Sequence, residues 1–343
     1  MSRPVRVLVV DDSAYIRKVV REMLTRNGAI EVVGTARDGE EALDAVETLR
    51  PDVVVSDLIM PGVDGVEFIR RQMAIRPVPI VIVSIAAESS ERVLSGLDAG
   101  AIDFVQKPTA LATEKVYDVA DELVSKVVAA AGAPLGRLRE IGPAPALPMR
   151  SAPRGRFDIL LIGVSTGGPQ GLKAVVPRLP AAFPLPVVIV MHMPVGYTEA
   201  YAQRLDDASA LTVIEARDGD RIRPGTVLIA PAGRHLTFHR EGSEVVARLD
   251  VKPLDTPHRP SVDVLLQSAA EVFGDRTLAV VMTGMGADGR EGAAWVKARG
   301  GVVLTEAEET CVVYGMPRSV VEAGLSDGEV PLDGLTAEIM QRI

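Results

Sequence analysis

Three residues of this chain have the types and settings for nucleophilic chemistry. Ser165 lies in Gly163-Val-Ser-Thr-Gly-Gly-Pro169, directly after an apolar run, where a strand stops and a helix starts. A hydroxyl there is exposed at the carboxyl edge of a sheet, beside free backbone N–H groups. Residues 163–167 match the G-x-S-x-G pattern of a nucleophile elbow, although a helix-capping Ser or Thr among turn glycines gives the same letters. His192 follows the run Val187–Met191, and Asp288 follows Leu278–Met282 through Thr283-Gly-Met-Gly-Ala-Asp-Gly289. A right-handed crossover puts the strands of Ser165 and His192 side by side and parallel, so both residues reach one sheet edge. Asp288 joins that edge from a third strand end. Serine, histidine and aspartate so placed form a nucleophile–base–orienter set. His235 and His239 fall in an apparent hairpin and His258 in a Pro-rich loop. The order Ser…His…Asp, with no histidine after His258, excludes the α/β-hydrolase arrangement.

A second constellation lies near the N-terminus. The runs Val5–Val10, Ile30–Ala36, Val53–Ser56, Ile80–Ser84 and Asp103–Gln106 read as strands. They alternate with helical stretches Ser13–Arg26, Glu40–Leu49, Gly65–Arg76, Ser89–Ala99 and Glu114–Ala131. Five strands and five helices in alternation make a doubly wound α/β sheet, a flavodoxin-like (βα)5 unit. Its strand carboxyl ends hold Asp11, Asp12, Asp57, Ser84 and Lys107. Carboxylates and one ammonium at one edge suit a hard cation such as Mg²⁺ together with a phosphoryl group.

The elements that carry these residues divide by composition. With 343 residues the chain is too long for one ordinary core. Gly132–Arg156 loses periodicity and carries five prolines, which makes it a partly stiff linker with a short helix expected over Leu135–Ile141. The expected domains are residues 1–131, a linker 132–156, and 157–343. The second domain continues with strands at Phe157–Ile162, Val187–Met191, Thr212–Ala216, Val227–Ala230, Leu278–Met282 and Val302–Thr305. A β-hairpin spans His235–Val251, a helix around Pro317–Ala323 follows the last strand, and a polar tail ends the chain. This too reads as a doubly wound, mostly parallel α/β sheet, with the hairpin as an insertion. Aromatics are 3% of residues, so Val, Leu, Ile and Ala build the cores. A net charge of −9 without a basic run argues against a nucleic-acid interface. Cys311 is the single cysteine, no Cys/His cluster has zinc spacing, and no run reaches membrane-span length. The expectation is a soluble cytoplasmic protein with no membrane insertion.

Residues 4–125 resemble the receiver domain of response regulators, on Asp11-Asp12, Asp57-Leu-Ile-Met-Pro61, Gly65, Ser84, Phe104 and Lys107-Pro108. The resemblance implies that Asp57 is the phosphoacceptor and that Asp11, Asp12 and Asp57 hold Mg²⁺. It also implies that Ser84 and Lys107 bind the phosphoryl oxygens and that Phe104 is an aromatic switch. Residues 157 to about 333 resemble the catalytic domain of the CheB family of chemotaxis methylesterases and glutamine deamidases. The match rests on Gly163–Pro169, His192-Met-Pro194, Ile229-Ala-Pro231, His258-Arg-Pro-Ser-Val-Asp263, Thr283–Gly289 and Tyr314-Gly-Met-Pro317. The family pattern carries over Ser165 as nucleophile, His192 as base and Asp288 as orienter. The backbone N–H of Met285 then assists the oxyanion, with Thr166 beside the site. The implied partners are methyl-accepting chemoreceptors as substrate and a chemotaxis-type histidine kinase as phosphodonor, and the esterase site needs no cofactor. Two positions depart from the family: Met191 stands where Gln is usual, and Ile59 where an acidic residue is more common. Two rival readings use the same residues. One is a phosphate-cradling module at Thr166–Pro169, which lacks a lysine after its glycines. The other is a regulator acting through Asp57 alone.

Overall fold

The computed structural model describes residues 3–26, 28–85, 90–107, 115–135 and 155–343. Ser89, Pro108, Glu114 and most of the Pro-rich linker, including the expected helix beyond Leu135, lie outside the described residues. The chain divides into two units, residues 1–136 and 137–343.

In the first unit the apolar runs become β1 (Val5–Val10), β2 (Ile30–Ala36), β3 (Val53–Ser56), β4 (Ile80–Ile85) and β5 (Asp103–Lys107). All neighbours are parallel, in the order β2-β1-β3-β4-β5. Between them run α1 (Ala14–Leu24), α2 (Gly39–Leu49), α3 (Gly65–Ile75) and α4 (Ser90–Asp98), and α5 (Lys115–Ala130) follows β5. Every residue of β3 is buried, as a parallel strand covered on both faces requires. Ser13, Asp38 and Asp64 start α1, α2 and α3 by accepting the backbone N–H three residues on. The chain leaves β1 toward one edge and returns past it to β3. The crevice between β1 and β3 is therefore the switch point where such sheets bind ligands. Asp11 and Asp57 flank it.

The second unit is built on a parallel sheet of β6 (Ile159–Val164), β7 (Val187–Met191), β8 (Thr212–Glu215), β9 (Thr226–Ile229), β12 (Thr277–Val281), β13 (Val302–Glu306) and β14 (Glu329–Val330). Its order is β14-β13-β12-β6-β7-β9-β8. β10 (His235–Glu241) and β11 (Glu244–Asp250) form a separate antiparallel hairpin. The helices are α6 (Gly168–Val175), α7 (Thr198–Asp207), α8 (Val262–Phe273), α9 (Arg290–Ala298), α10 (Met316–Glu322) and α11 (Leu332–Arg342). Leu236, Phe238 and Ala247 of the hairpin join α8 residues Leu265, Leu266 and Ala269, and α9 residues Ala293 and Val296, in one buried cluster. β6 runs between β7 and β12, so the switch point lies at its carboxyl end.

The C-terminus differs from the sequence reading. The expected polar tail is strand β14 followed by helix α11. Leu332, Leu335 and Ile339 are buried on one face of α11, and Thr336 Oγ1 donates to the Val175 carbonyl of α6 at 3.3 Å. Gly334, Thr336 and flanking acids dilute this stripe, so its period reads as polar chain.

Candidate active site

Ser165 follows the last residue of β6, and its N–H donates to Thr283 O at 3.0 Å, just beyond β12. Its carbonyl accepts from Gly168 N at 2.7 Å, closing a turn that requires Gly167 at φ 80°. A side chain at 167 would also meet Val312 Cβ at 2.5 Å. In the register of β6 and β7, Val164 faces Met191, and His192 N donates to Val164 O at 3.2 Å. This brings His192 level with Ser165. Gly284 presses against the serine from the other side: a Cβ there would lie 2.8 Å from Ser165 Cβ. The loop that carries Met285 thus passes beside the hydroxyl, while Thr166 is buried and its carbonyl accepts from Thr283 Oγ1 at 2.9 Å.

His192 and Asp288 are joined directly, Nε2 to Oδ2 at 2.7 Å. His192 Nδ1 is buried and has no hydrogen-bond partner among the described residues. His258 stacks on the imidazole at 4.0 Å between centroids and 19° between planes. Asp288 is fixed from behind by the N-terminus of α8: Ser261 Oγ and Asp263 N donate to Oδ1 at 2.8 and 2.9 Å, and Val262 N donates to Oδ2 at 2.8 Å. Burial alone would raise this carboxyl, but the His192 and backbone hydrogen bonds outweigh it and hold Asp288 far below the usual carboxylate range. Ser261 is held in turn by His235, whose Nδ1 accepts Ser261 N–H at 3.2 Å. With Nδ1 accepting, the proton of neutral His235 sits on Nε2, which faces Pro253 O at 3.1 Å. Burial keeps His235 below the ordinary imidazole value.

A further buried carboxyl lies behind the Ser165 edge. Glu306 ends β13, accepts Thr283 N at 2.9 Å and Thr310 Oγ1 at 3.1 Å, and is pushed up to about 7 by burial. It pins the first residue of the Thr283–Met285 loop.

In the first unit, Asp57 Oδ2 and Asp11 Oδ2 share Lys107 Nζ at 2.6 and 2.8 Å, all three side chains buried. Asp12 is exposed, and Lys107 pairs the two inner carboxylates. Carboxylate oxygens of Asp11, Asp12 and Asp57 still lie within 4.8 Å of one another. Burial, reinforced by the Asp57 charge, raises Asp11 despite Lys107, while the two aspartates hold Lys107 protonated. Ser84 is buried in β4 and Phe104 in β5, and Ile59 is 45% exposed with its N–H 3.5 Å from Asp57 Oδ1.

Comparisons with known proteins agree on both units. A family profile described as CheB methylesterase matches residues 160–339, and one described as response regulator receiver domain matches residues 7–115. The chain belongs to the CheB methylesterase family. A "Protein-glutamate methylesterase/protein-glutamine glutaminase 5" of Myxococcus xanthus is 49% identical, over 99% of this chain and 98% of the relative. A "Protein-glutamate methylesterase/protein-glutamine glutaminase" of Geobacillus kaustophilus is 44% identical over 99% of each chain. The crystal structure of the Thermotoga maritima CheB methylesterase catalytic domain is 45% identical, with a TM-score of 0.54, covering 55% of this chain and 99% of that one. Among the described residues no helix is long and apolar enough to cross a membrane.

Sequence reasoning gave no role to Ser261, Asp263, His235 or His258, although the block His258–Asp263 carries part of the family resemblance, and it passed over Glu306. The first four sit in or beside the hairpin and Pro-rich loop, where no period announces a sheet edge. Glu306 ended a strand next to the one preceding Asp288's loop, which was the signal available.

Proposed function

We propose that this chain is a phosphorylation-gated protein-glutamate methylesterase and protein-glutamine glutaminase acting on the cytoplasmic helices of chemoreceptors. The observation that carries the reading is the His192–Asp288 pair, with a partnerless Nδ1 on a histidine level with Ser165 in the β6–β7 register. The names of the full-length relatives support the same activities.

Nε2–H of His192 is spoken for by Asp288, so Nδ1 carries the lone pair that accepts the Ser165 proton. Ser165 Oγ attacks the side-chain carbonyl of a glutamate γ-methyl ester. The oxyanion is met by backbone N–H groups of the glycine-flanked turns, Met285 among them, each donor contributing ~3 kcal/mol. Imidazolium returns the proton to the departing methoxide, giving methanol and an acyl-serine. Water, deprotonated by Nδ1, releases the glutamate carboxyl and regenerates Ser165. With glutamine the leaving group is ammonia and the steps are unchanged. Apo hydrogen bonds at such sites commonly tighten only with substrate bound, which accounts for the open Nδ1.

In the first unit Asp57 is the phosphoacceptor, and a histidine kinase of the chemotaxis type is the donor. Asp11, Asp12 and Asp57 offer a set of hard oxygen ligands that fits Mg²⁺. When bound, Mg²⁺ neutralises carboxylate charge where a phosphoryl group arrives. Lys107, already on Asp57, turns to the phosphoryl oxygens, Ser84 binds one of them, and Phe104 follows as the switch. A serine-reactive fluorophosphonate tests the catalytic half. It should label the intact chain at Ser165, faster with a small phosphodonor and Mg²⁺, and leave Ser165→Ala unlabelled. Equal labelling of Ser165→Ala would remove Ser165 from the mechanism.

A further inference from the structure

The carboxylates of Asp288 and Asp263 are exchanged between two helix starts. Asp288 lies just ahead of α9, yet its oxygens accept from Ser261, Val262 and Asp263 at the start of α8. Asp263 lies in the first turn of α8, yet its Oδ1 accepts Gly289 N at 2.9 Å and Gly292 N at 2.7 Å at the start of α9. Each aspartate satisfies orphan N–H groups of the other's helix. The two helices meet closely here: a Cβ on Gly292 would lie 2.6 Å from Leu266 Cβ and 2.9 Å from Asp263 Cα. Gly289, the residue next to Asp288, is therefore tethered by the residue that also tethers Asp288 Oδ1. Asp288 has little freedom left, and its Oδ2 is delivered to His192.

We propose that Asp263 is a positioning residue of the Ser165–His192–Asp288 site, holding Asp288 in register with His192 through its bonds to Gly289 and Gly292. The inference rests on the esterase reading above. What the position requires is an acceptor oxygen, not a charge. Burial and the facing Asp288 carboxylate push Asp263 up to about 6 against the two N–H groups, and Oδ1 accepts those groups whether or not the other oxygen is protonated. Asparagine therefore serves in its place, and alanine does not.

The test uses the full chain and methanol release from methylated receptor membranes. Asp263→Ala should lower kcat roughly 10- to 100-fold with KM unchanged, the cost of a slightly misplaced orienter. Asp263→Asn should recover kcat to within about fivefold of wild type, since its Oδ1 still accepts both N–H groups. In an Asp288→Ala background, Asp263→Ala should change kcat less than about twofold, because residues that act as a unit are non-additive. Asp263→Ser, which reaches at most one of the two N–H groups, carries the same comparison if Asp263→Ala does not fold. Wild-type kcat in a cooperatively melting Asp263→Ala or Asp263→Ser protein overturns the proposal. So does equal loss in both Asp288 backgrounds, or loss in Asp263→Asn as large as in Asp263→Ala. If wild type itself shows no Ser165-dependent release, the esterase reading fails and this proposal falls with it. Ser165-dependent release that ignores Asp263 overturns this proposal alone.

Discussion

Asp288→Asn is the substitution whose outcome follows most directly from the geometry. Asn is isosteric but offers one acceptor and one donor group. Both carboxylate oxygens of Asp288 face a backbone N–H, Val262 N at 2.8 Å on one side and Asp263 N at 2.9 Å on the other. Either orientation of the amide thus sets N–H against N–H, at a cost of ~1–3 kcal/mol for the unsatisfied donors. With the amide nitrogen toward His192, the ring must present a bare Nε2 and carry its proton on Nδ1, the atom meant to accept from Ser165. With the oxygen toward His192 the tautomer is right, but the charge that steadies the imidazolium is gone. In triads of this logic the change costs about 1,000- to 10,000-fold in kcat. Initial rates of methanol release, with circular dichroism to certify the fold, should show a loss of that size at constant KM. A kcat within threefold of wild type in a folded protein would refute the assignment of Asp288 as orienter.

Other perturbations follow from the same coordinates. Glu306 titrates near 7 in the folded chain against 4.5 for an ordinary glutamate, so the folded chain binds the extra proton between these values. Stability should fall as pH rises through that window, by at most on the order of 3 kcal/mol, and Glu306→Gln should flatten the fall in melting temperature between pH 5 and pH 8. A wild-type melting temperature that rises over this range would contradict the buried acid. Ile339→Ala, at a fully buried position of α11, should cost about 2–5 kcal/mol in urea unfolding of the second unit, where an exposed tail would cost nothing measurable. Ile59→Asn should shorten the lifetime of phosphorylated Asp57 severalfold, read on phosphate-affinity gels, because it replaces an apolar side chain beside Asp57 with one that binds water. An unchanged lifetime would show that this position does not control water access.

The strand-end residues were legible because parallel strands buried on both faces announce themselves as short, unbroken apolar runs. Ile159–Val164 and Val187–Met191 read so clearly that Ser165 and His192 could be set on adjacent strand ends from connection handedness alone. Asp57 and Lys107 were placed the same way. The residues that hold Asp288 were not. Ser261, Asp263 and His235 act across 25 or more positions of sequence, largely through backbone N–H groups whose direction no side-chain pattern encodes. α11 was missed for a different reason: its buried face includes Thr336, a polar residue satisfied by a carbonyl of α6, so hydrophobic periodicity underestimates it.

Methanol release by the intact chain tests Ser165 chemistry and its dependence on Asp57 phosphorylation at once. The assay compares wild type, Ser165→Ala and Asp57→Ala on methylated chemoreceptor membranes, each with and without Mg²⁺ and a small phosphodonor. Release should rise with phosphodonor in wild type, be absent in Ser165→Ala, and stay at the basal level in Asp57→Ala. Release that persists without Ser165, or that responds to phosphodonor without Asp57, would contradict this mechanism.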